Sequence, residues 1–178
     1  MKIDWLVKGR FVILLGLFCT ITSCLEKVGT EVKQNSDYWN SSNRSFAFRN
    51  ENELKDYINR GYNINATDDN NDGVSLLHNT IYLGQVNMVK IIAAAGADLN
   101  IKTKDGFTPL HWAMGCEPKI ALEIAKILIE AGALINPVNN YGRTPLDIAK
   151  DNKRKETYEF LLKNGAKLGE AMTPKNKE

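Results

Sequence analysis

Gly106-Phe107-Thr108-Pro109-Leu110-His111-Trp112-Ala113 is the stretch on which the fold turns, because the chain repeats it. Gly73-Val74-Ser75-Leu76-Leu77-His78 stands 33 residues earlier, and Gly142-Arg143-Thr144-Pro145-Leu146-Asp147-Ile148-Ala149 stands 36 residues later. A second glycine series, Gly61, Gly96, Gly132 and Gly165, runs at intervals of 35, 36 and 33. Ile64-Asn65, Leu99-Asn100 and Ile135-Asn136 follow its first three members at one fixed offset. Between the two series lie amphipathic runs such as Val86 to Ala95, whose apolar residues recur at helical spacing. The hydroxyl of Ser75, Thr108 or Thr144 suits a helix N-cap, and the following proline fits where a helix N–H has no partner. The second glycine series suits a helix end that closes through a left-handed residue. Two short helices per unit leave one apolar face uncovered, so neighbouring units must stack into a continuous core.

Thr108-Pro109-Leu110-His111-Trp112-Ala113 resembles the T-P-L-H-x-A signature of the ankyrin repeat at every specified position. Thr144 to Ala149 misses only the histidine, and Ser75 to Thr80 keeps the hydroxyl, a leucine and the histidine. The resemblance implies an all-α ankyrin-repeat solenoid with β-hairpin-like finger loops over residues 46–168, made of three full repeats and a degenerate first one. In that first unit Glu51-Asn52-Glu53 takes the place of the signature, and the last helix turns Lys153, Arg154, Lys155, Glu156 and Glu159 outward. The second repeat carries three extra residues, expected in the Gly115–Lys119 linker between its helices.

Outward from the repeats, the front of the chain reads as an address. Residues 1–10 are net basic, Phe11 to Phe18 is apolar, and a soft-apolar run reaches Leu25. Its 15 residues are short of the roughly 20 that a spanning helix needs, so residues 1–23 read as a secretory signal. Ile21-Thr22-Ser23-Cys24 resembles the bacterial lipobox, which implies cleavage before Cys24 and acylation of that cysteine. Thr22 in place of Ala or Ser, and Asp4 in the basic segment, depart from the usual pattern. Leu25 lacks the aspartate that retains such lipoproteins at the inner membrane, which implies outer-membrane attachment facing the periplasm. Several acyl chains would anchor the chain firmly where one holds it marginally. Residues 24–45 then form a lipidated N-terminus and polar tether that spans about 25 Å as a coil, and residues 169–178 form a polar tail.

Composition narrows the function. With 43% hydrophobic, 25% charged and 8% aromatic residues, the chain is neither wholly disordered nor a multi-span membrane protein. Without its first 23 residues it carries 20 basic and 20 acidic side chains, so nothing marks it for nucleic acid. Both histidines, His78 and His111, occupy the signature position, where the resemblance implies bonds to neighbouring backbone. No phosphate-cradling loop, nucleophile elbow or zinc motif is present, and neither enzyme activity nor a cofactor or resident metal is expected. Two features support a different class, a calcium- or redox-responsive envelope sensor. Asp68-Asp69-Asn70-Asn71-Asp72-Gly73 opens like a calcium loop, although its twelfth position is Asn79 and its composition is equally that of a turn. Cys116 is the one thiol left after lipidation of Cys24.

The resemblance implies a protein partner, of unspecified identity, bound along a concave face of finger tips and first helices by a monomer. On this chain that face comprises Asp72, Val74 and Tyr82; Lys104, Asp105 and Phe107; Asn140, Tyr141 and Arg143; and Asp151 and Asn152. Phe107, Tyr141 and Arg143 stand out, because aromatic residues and arginine dominate interface energetics. Phe107 and Tyr141 either line this face or pack across adjacent fingers, while the position of Trp112 implies packing between repeats. The expected role is an immunity-type inhibitor or a scaffold, tethered by lipid in the cell envelope.

Overall fold

The computed structural model describes residues 48–68 and 71–169 in full, and the backbone of 39–40 and 45–46. The signal segment, Cys24, most of the tether, Asp69, Asn70 and the tail from residue 170 lie outside the described residues. The order is β1 (Trp39–Asn40), β2 (Ser45–Phe46), α1 (Glu51–Asn59), β3 (Thr67–Asp68), β4 (Val74–Ser75), α2 (Leu76–Tyr82) and α3 (Val86–Ala94). Then follow α4 (Pro109–Ala113), α5 (Pro118–Glu130), α6 (Pro145–Asp151) and α7 (Lys155–Lys163). The first helices α2, α4 and α6 form one layer, and the second helices α1, α3, α5 and α7 form the other. This is the expected ankyrin-type solenoid, with three full helix pairs and one degenerate leading unit. Among the described residues no helix is long and apolar enough to cross a membrane.

Each first helix starts at its predicted hydroxyl residue. Ser75, Thr108 and Thr144 have extended backbone at the cap, with φ of −89°, −93° and −95°. Proline opens α4 and α6. The leucines of the signature, Leu77, Leu110 and Leu146, are buried with Leu54, Ile81, Ile92, Ile124, Leu128 and Leu161 in one core that runs the length of the stack. The Asn65, Asn100 and Asn136 series forms a ladder across the repeats. The amides of Asp98, Leu134 and Lys167 donate to its Oδ1 atoms at 2.8, 2.8 and 2.7 Å.

Three expectations are corrected. Glu51-Asn52-Glu53 does not stand in for a signature helix. It opens α1, capped by Asn50 Oδ1, and α1 packs beside α3 as a second helix ending just before Gly61. The expected coil reaches its end in a strand pair, Trp39 opposite Phe46 and Asn40 opposite Ser45, and β2 runs beside α2. The extra residues of the second repeat fall mainly in its second helix rather than in the linker: α5 has 13 residues where α3 and α7 have nine, the linker before it has four where theirs have three, and α4 has five where α2 and α6 have seven. Pro118 at the start of α5 fixes that beginning, since proline is favoured in the first turn.

Candidate functional site

The site is built by staples between repeats. His78 is fully buried, and His111 is 2% exposed. The Nδ1 of each accepts the backbone N–H of its cap residue, Ser75 at 3.3 Å and Thr108 at 3.1 Å. Each Nε2 meets a carbonyl of the next finger, Phe107 O at 3.2 Å and Arg143 O at 3.0 Å. A carbonyl only accepts, so Nε2 carries the hydrogen, and Nδ1 must be bare to receive its N–H. Burial pushes both imidazoles down to about 4, while the carbonyl bond of Nε2 pulls the other way. A proton on His111 further disfavours a proton on His78, and at His111 Lys102 and Arg143 add to the lowering against the opposing pull of Asp147. These rings are neutral struts that fix finger position.

The third repeat uses Asp147 at the histidine position. Its Oδ2 accepts from Thr144 N and Gly169 N, both at 2.8 Å, and Thr144 Oγ1, with one hydrogen to give, lies 2.9 Å from both Asp147 Oδ2 and Lys167 O. Burial opposes the Asp147 charge, but the amides of Thr144 and Gly169, the Thr144 hydroxyl and Arg143 outweigh it and hold its carboxyl below the usual range. The carboxylate thereby ties the C-terminal segment onto the last repeat.

Finger backbones also lock to one another. Lys104 N donates to Asp72 O at 2.8 Å and Asn140 N to Asp105 O at 3.0 Å. Gly106, at φ 80°, lets the third finger close in, because a Cβ there would lie 2.6 Å from Asn140 Oδ1 and 2.9 Å from its N.

Between the first two fingers and α2 and α4 opens a cavity of about 550 Å³. Five of the eleven sequence-predicted residues line it: Asp72, Val74, Tyr82, Asp105 and Phe107. Tyr141, Arg143 and Asp151 line a separate recess of about 360 Å³ with Asp147 and Lys150. Arg143 and Asp151 close on each other as an ion pair, and so are not the free groove charges expected. Lys104, Asn140 and Asn152 line neither space. The Lys104 amide and carbonyl serve the neighbouring fingers, and the Asn140 side chain donates to that carbonyl at 2.9 Å. Asn152 Nδ2 is bound to Met114 O at 3.0 Å, joining the last repeat to the one before.

Trp112 is half-buried on this cavity, edge-on to His78 at 5.2 Å and to Tyr82 at 6.2 Å. It therefore serves both the repeat stack and the groove, which a reading of its position as interior misses. Phe107 packs against His111 at 5.7 Å and Tyr141 at 6.1 Å while still facing the cavity. The two roles left open for it coexist. Tyr82 is 73% exposed, a large apolar surface with little intramolecular cover. A larger recess of about 660 Å³ lies at the starts of α1 and α3, but Asn50, Glu51, Asn52, Gln85 and Asn87 dominate its lining. It lacks the aromatic wall that gives a partner area to bury.

Cys116 lies at the cavity floor, its thiol directed at Ile81 O at 3.2 Å. Burial raises its pKa, with Arg154 opposing weakly, so the reactive thiolate is disfavoured. In the long first finger, Asn71 N and Gly73 N donate to Asp68 O at 3.1 and 2.9 Å, a tight turn closing β3 onto β4. Two of the calcium-like positions, Asp69 and Asn70, lie outside the described residues. Among the described residues no three His, Cys, Asp or Glu side chains converge for a metal.

A family model of ankyrin repeats, in three copies, matches residues 45–139. The chain belongs to the ankyrin-repeat family. Members of this family are, as a rule, non-enzymatic protein-binding modules. The last ankyrin repeat, α6 with α7, lies beyond the matched span and keeps the same capped-helix geometry. A putative ankyrin repeat protein of Rickettsia bellii is 32% identical over 118 residues, covering 65% of this chain and 33% of that protein. Protein phosphatase 1 regulatory subunit 12A of Mus musculus is 39% identical over 100 residues, 56% of this chain and 9% of its own length. Protein phosphatase 1 regulatory subunit 27 of Homo sapiens is 33% identical over 89 residues, 50% of this chain and 55% of its own. The chain thus spans from a tenth to about half the length of these relatives, and the likeness is one of the repeat module.

Proposed function

We propose that this chain is a lipid-anchored ankyrin module of the bacterial cell envelope, and that it docks a protein partner in the groove walled by Tyr82, Phe107 and Trp112. The observation that carries the docking is the cavity itself. Three aromatic side chains from two successive repeats border one open space of about 550 Å³, and histidine staples fix the fingers around it. A pre-set aromatic surface binds without a large ordering cost. The lipobox resemblance at Ile21 to Cys24 supports the anchor, and the basic and apolar run before it supports export. Within this role an inhibitor of a delivered toxin or enzyme and a scaffold for a resident envelope protein use the same surface.

The anchor and the groove are tested separately. Bacteria expressing the full chain are grown with radiolabelled palmitate, with Cys24→Ala alongside. The reading requires label and membrane fractionation that both depend on Cys24, and an unlabelled parent chain would remove the anchor. The full chain and its Tyr82→Ala/Trp112→Ala variant then serve as bait in envelope extract. A partner held by the parent and lost with the variant is the expected result, and equal capture by both would move docking off the groove.

A further inference from the structure

The groove combines an aromatic wall with an acidic rim, and the combination specifies a chemistry. Asp72 and Asp105 occupy the same position in successive fingers, each directly before a left-handed glycine, and both line the cavity beside Tyr82, Phe107 and Trp112. Both are exposed, and neither carboxylate makes a hydrogen bond or ion pair among the described residues. Exposed Glu123 and Asp151, in contrast, are taken up by Lys90 and Arg143. The main chains of the two finger aspartates are pinned: Asp72 O receives Lys104 N, and Asp105 O receives Asn140 N. Asp72 is held at φ 54°, a conformation a non-glycine residue adopts at a cost that its surroundings must offset. Lys104 stands next to Asp105 in the second finger but does not line the cavity. The rim therefore presents two carboxylates on pinned main chain beside Tyr82, Phe107 and Trp112, a combination that favours a cation with an apolar stem.

We infer that the cavity receives an arginine or lysine side chain of the partner, its stem against Trp112 and Phe107 and its head between Asp72 and Asp105. This rests on the groove being the docking surface. Arginine fits the more fully, because its planar guanidinium both stacks on an aromatic face and forks to carboxylates.

The test is a random dodecapeptide library displayed on phage and panned on the immobilised full chain in detergent. Excess Tyr82→Ala/Trp112→Ala chain in solution removes sequences that bind elsewhere. The inference predicts that the surviving peptides share a basic residue. Replacing that residue by norleucine should weaken binding to the parent at least tenfold, and to the Asp72→Asn/Asp105→Asn chain by less than threefold. Asparagine tolerates the left-handed backbone of Asp72 and keeps the shape of both side chains, so the circular dichroism spectrum and melting temperature serve as the folding control. Cavity-dependent peptides without a basic residue overturn the inference and leave the groove reading standing. So does a basic residue whose loss costs the same on both chains. A library that yields no cavity-dependent peptide overturns both.

Discussion

The histidine struts make stability steeply dependent on mild acid. Both imidazoles are held near 4 in the fold, whereas an exposed histidine titrates near 6.5. The folded state therefore binds fewer protons than the unfolded chain between these values. Stability is complete above about pH 6.5 and is lost as the pH falls toward 4. At pH 5 an unfolded histidine is almost fully protonated while the folded one remains mostly neutral, which removes about 2 kcal/mol per site and about 4 kcal/mol for the pair. Against a total of roughly 5–15 kcal/mol for a domain, that is a large share. The chain has only two histidines, so this window belongs to His78 and His111, with carboxylates such as Asp147 adding to the loss further down. Urea unfolding of the full chain, followed by circular dichroism at pH 7.5 and 5.0, gives the difference directly. Proton NMR of the two imidazoles gives their titration in the native state. A stability change under 1 kcal/mol, or either ring titrating near 6.5, would refute the strut geometry.

Other perturbations separate the parts of the account. Gly106→Ala drives a Cβ into Asn140 and should cost about 2–4 kcal/mol, while Gly96→Ala meets nothing within 4 Å and should cost only the left-handed backbone, about 1 kcal/mol. Equal melting temperatures for the two variants would contradict the close approach of the fingers. Asn139 is 4% exposed, and its Oδ1 receives the amides of Tyr141 and Arg143, both at 3.0 Å. Asn139→Ala leaves two donors unmet and should cost about 1–3 kcal/mol in urea unfolding, whereas Asn140→Ala loses one exposed bond to Lys104 O. Cys116 should react with iodoacetamide at pH 8 several-fold more slowly than a free thiol, and more quickly only after urea, which mass spectrometry resolves site by site.

Much of this was legible in the residue order because repetition amplifies local rules. Hydroxyl, proline, leucine and histidine at fixed offsets in successive units constrain cap, helix start, core and staple together, and the structure places each where the pattern requires. The Asn65, Asn100 and Asn136 series was visible as an offset, but its ladder needed the neighbouring repeat's amides in three dimensions. Among the described residues the leading unit shows only its second helix, and Glu51-Asn52-Glu53 near a helix start carries the same local signal in either role. The exposed position of Arg143 in the repeat frame predicts a free groove charge. Asp151 lies eight residues on, one helix away, and the two side chains meet across α6. The signature position of Trp112 fixes its backbone direction but not how much of a large indole the layer covers.

The most direct measurement is site-specific photo-crosslinking in living cells. A benzoylphenylalanine is placed at Tyr82 in the groove of the full chain, and separately at Leu134, which is 60% exposed and does not line the groove. The account predicts one discrete crosslinked protein from position 82 and none from position 134. The same adduct from both positions, or from 134 alone, would contradict the groove as the surface on which this protein works.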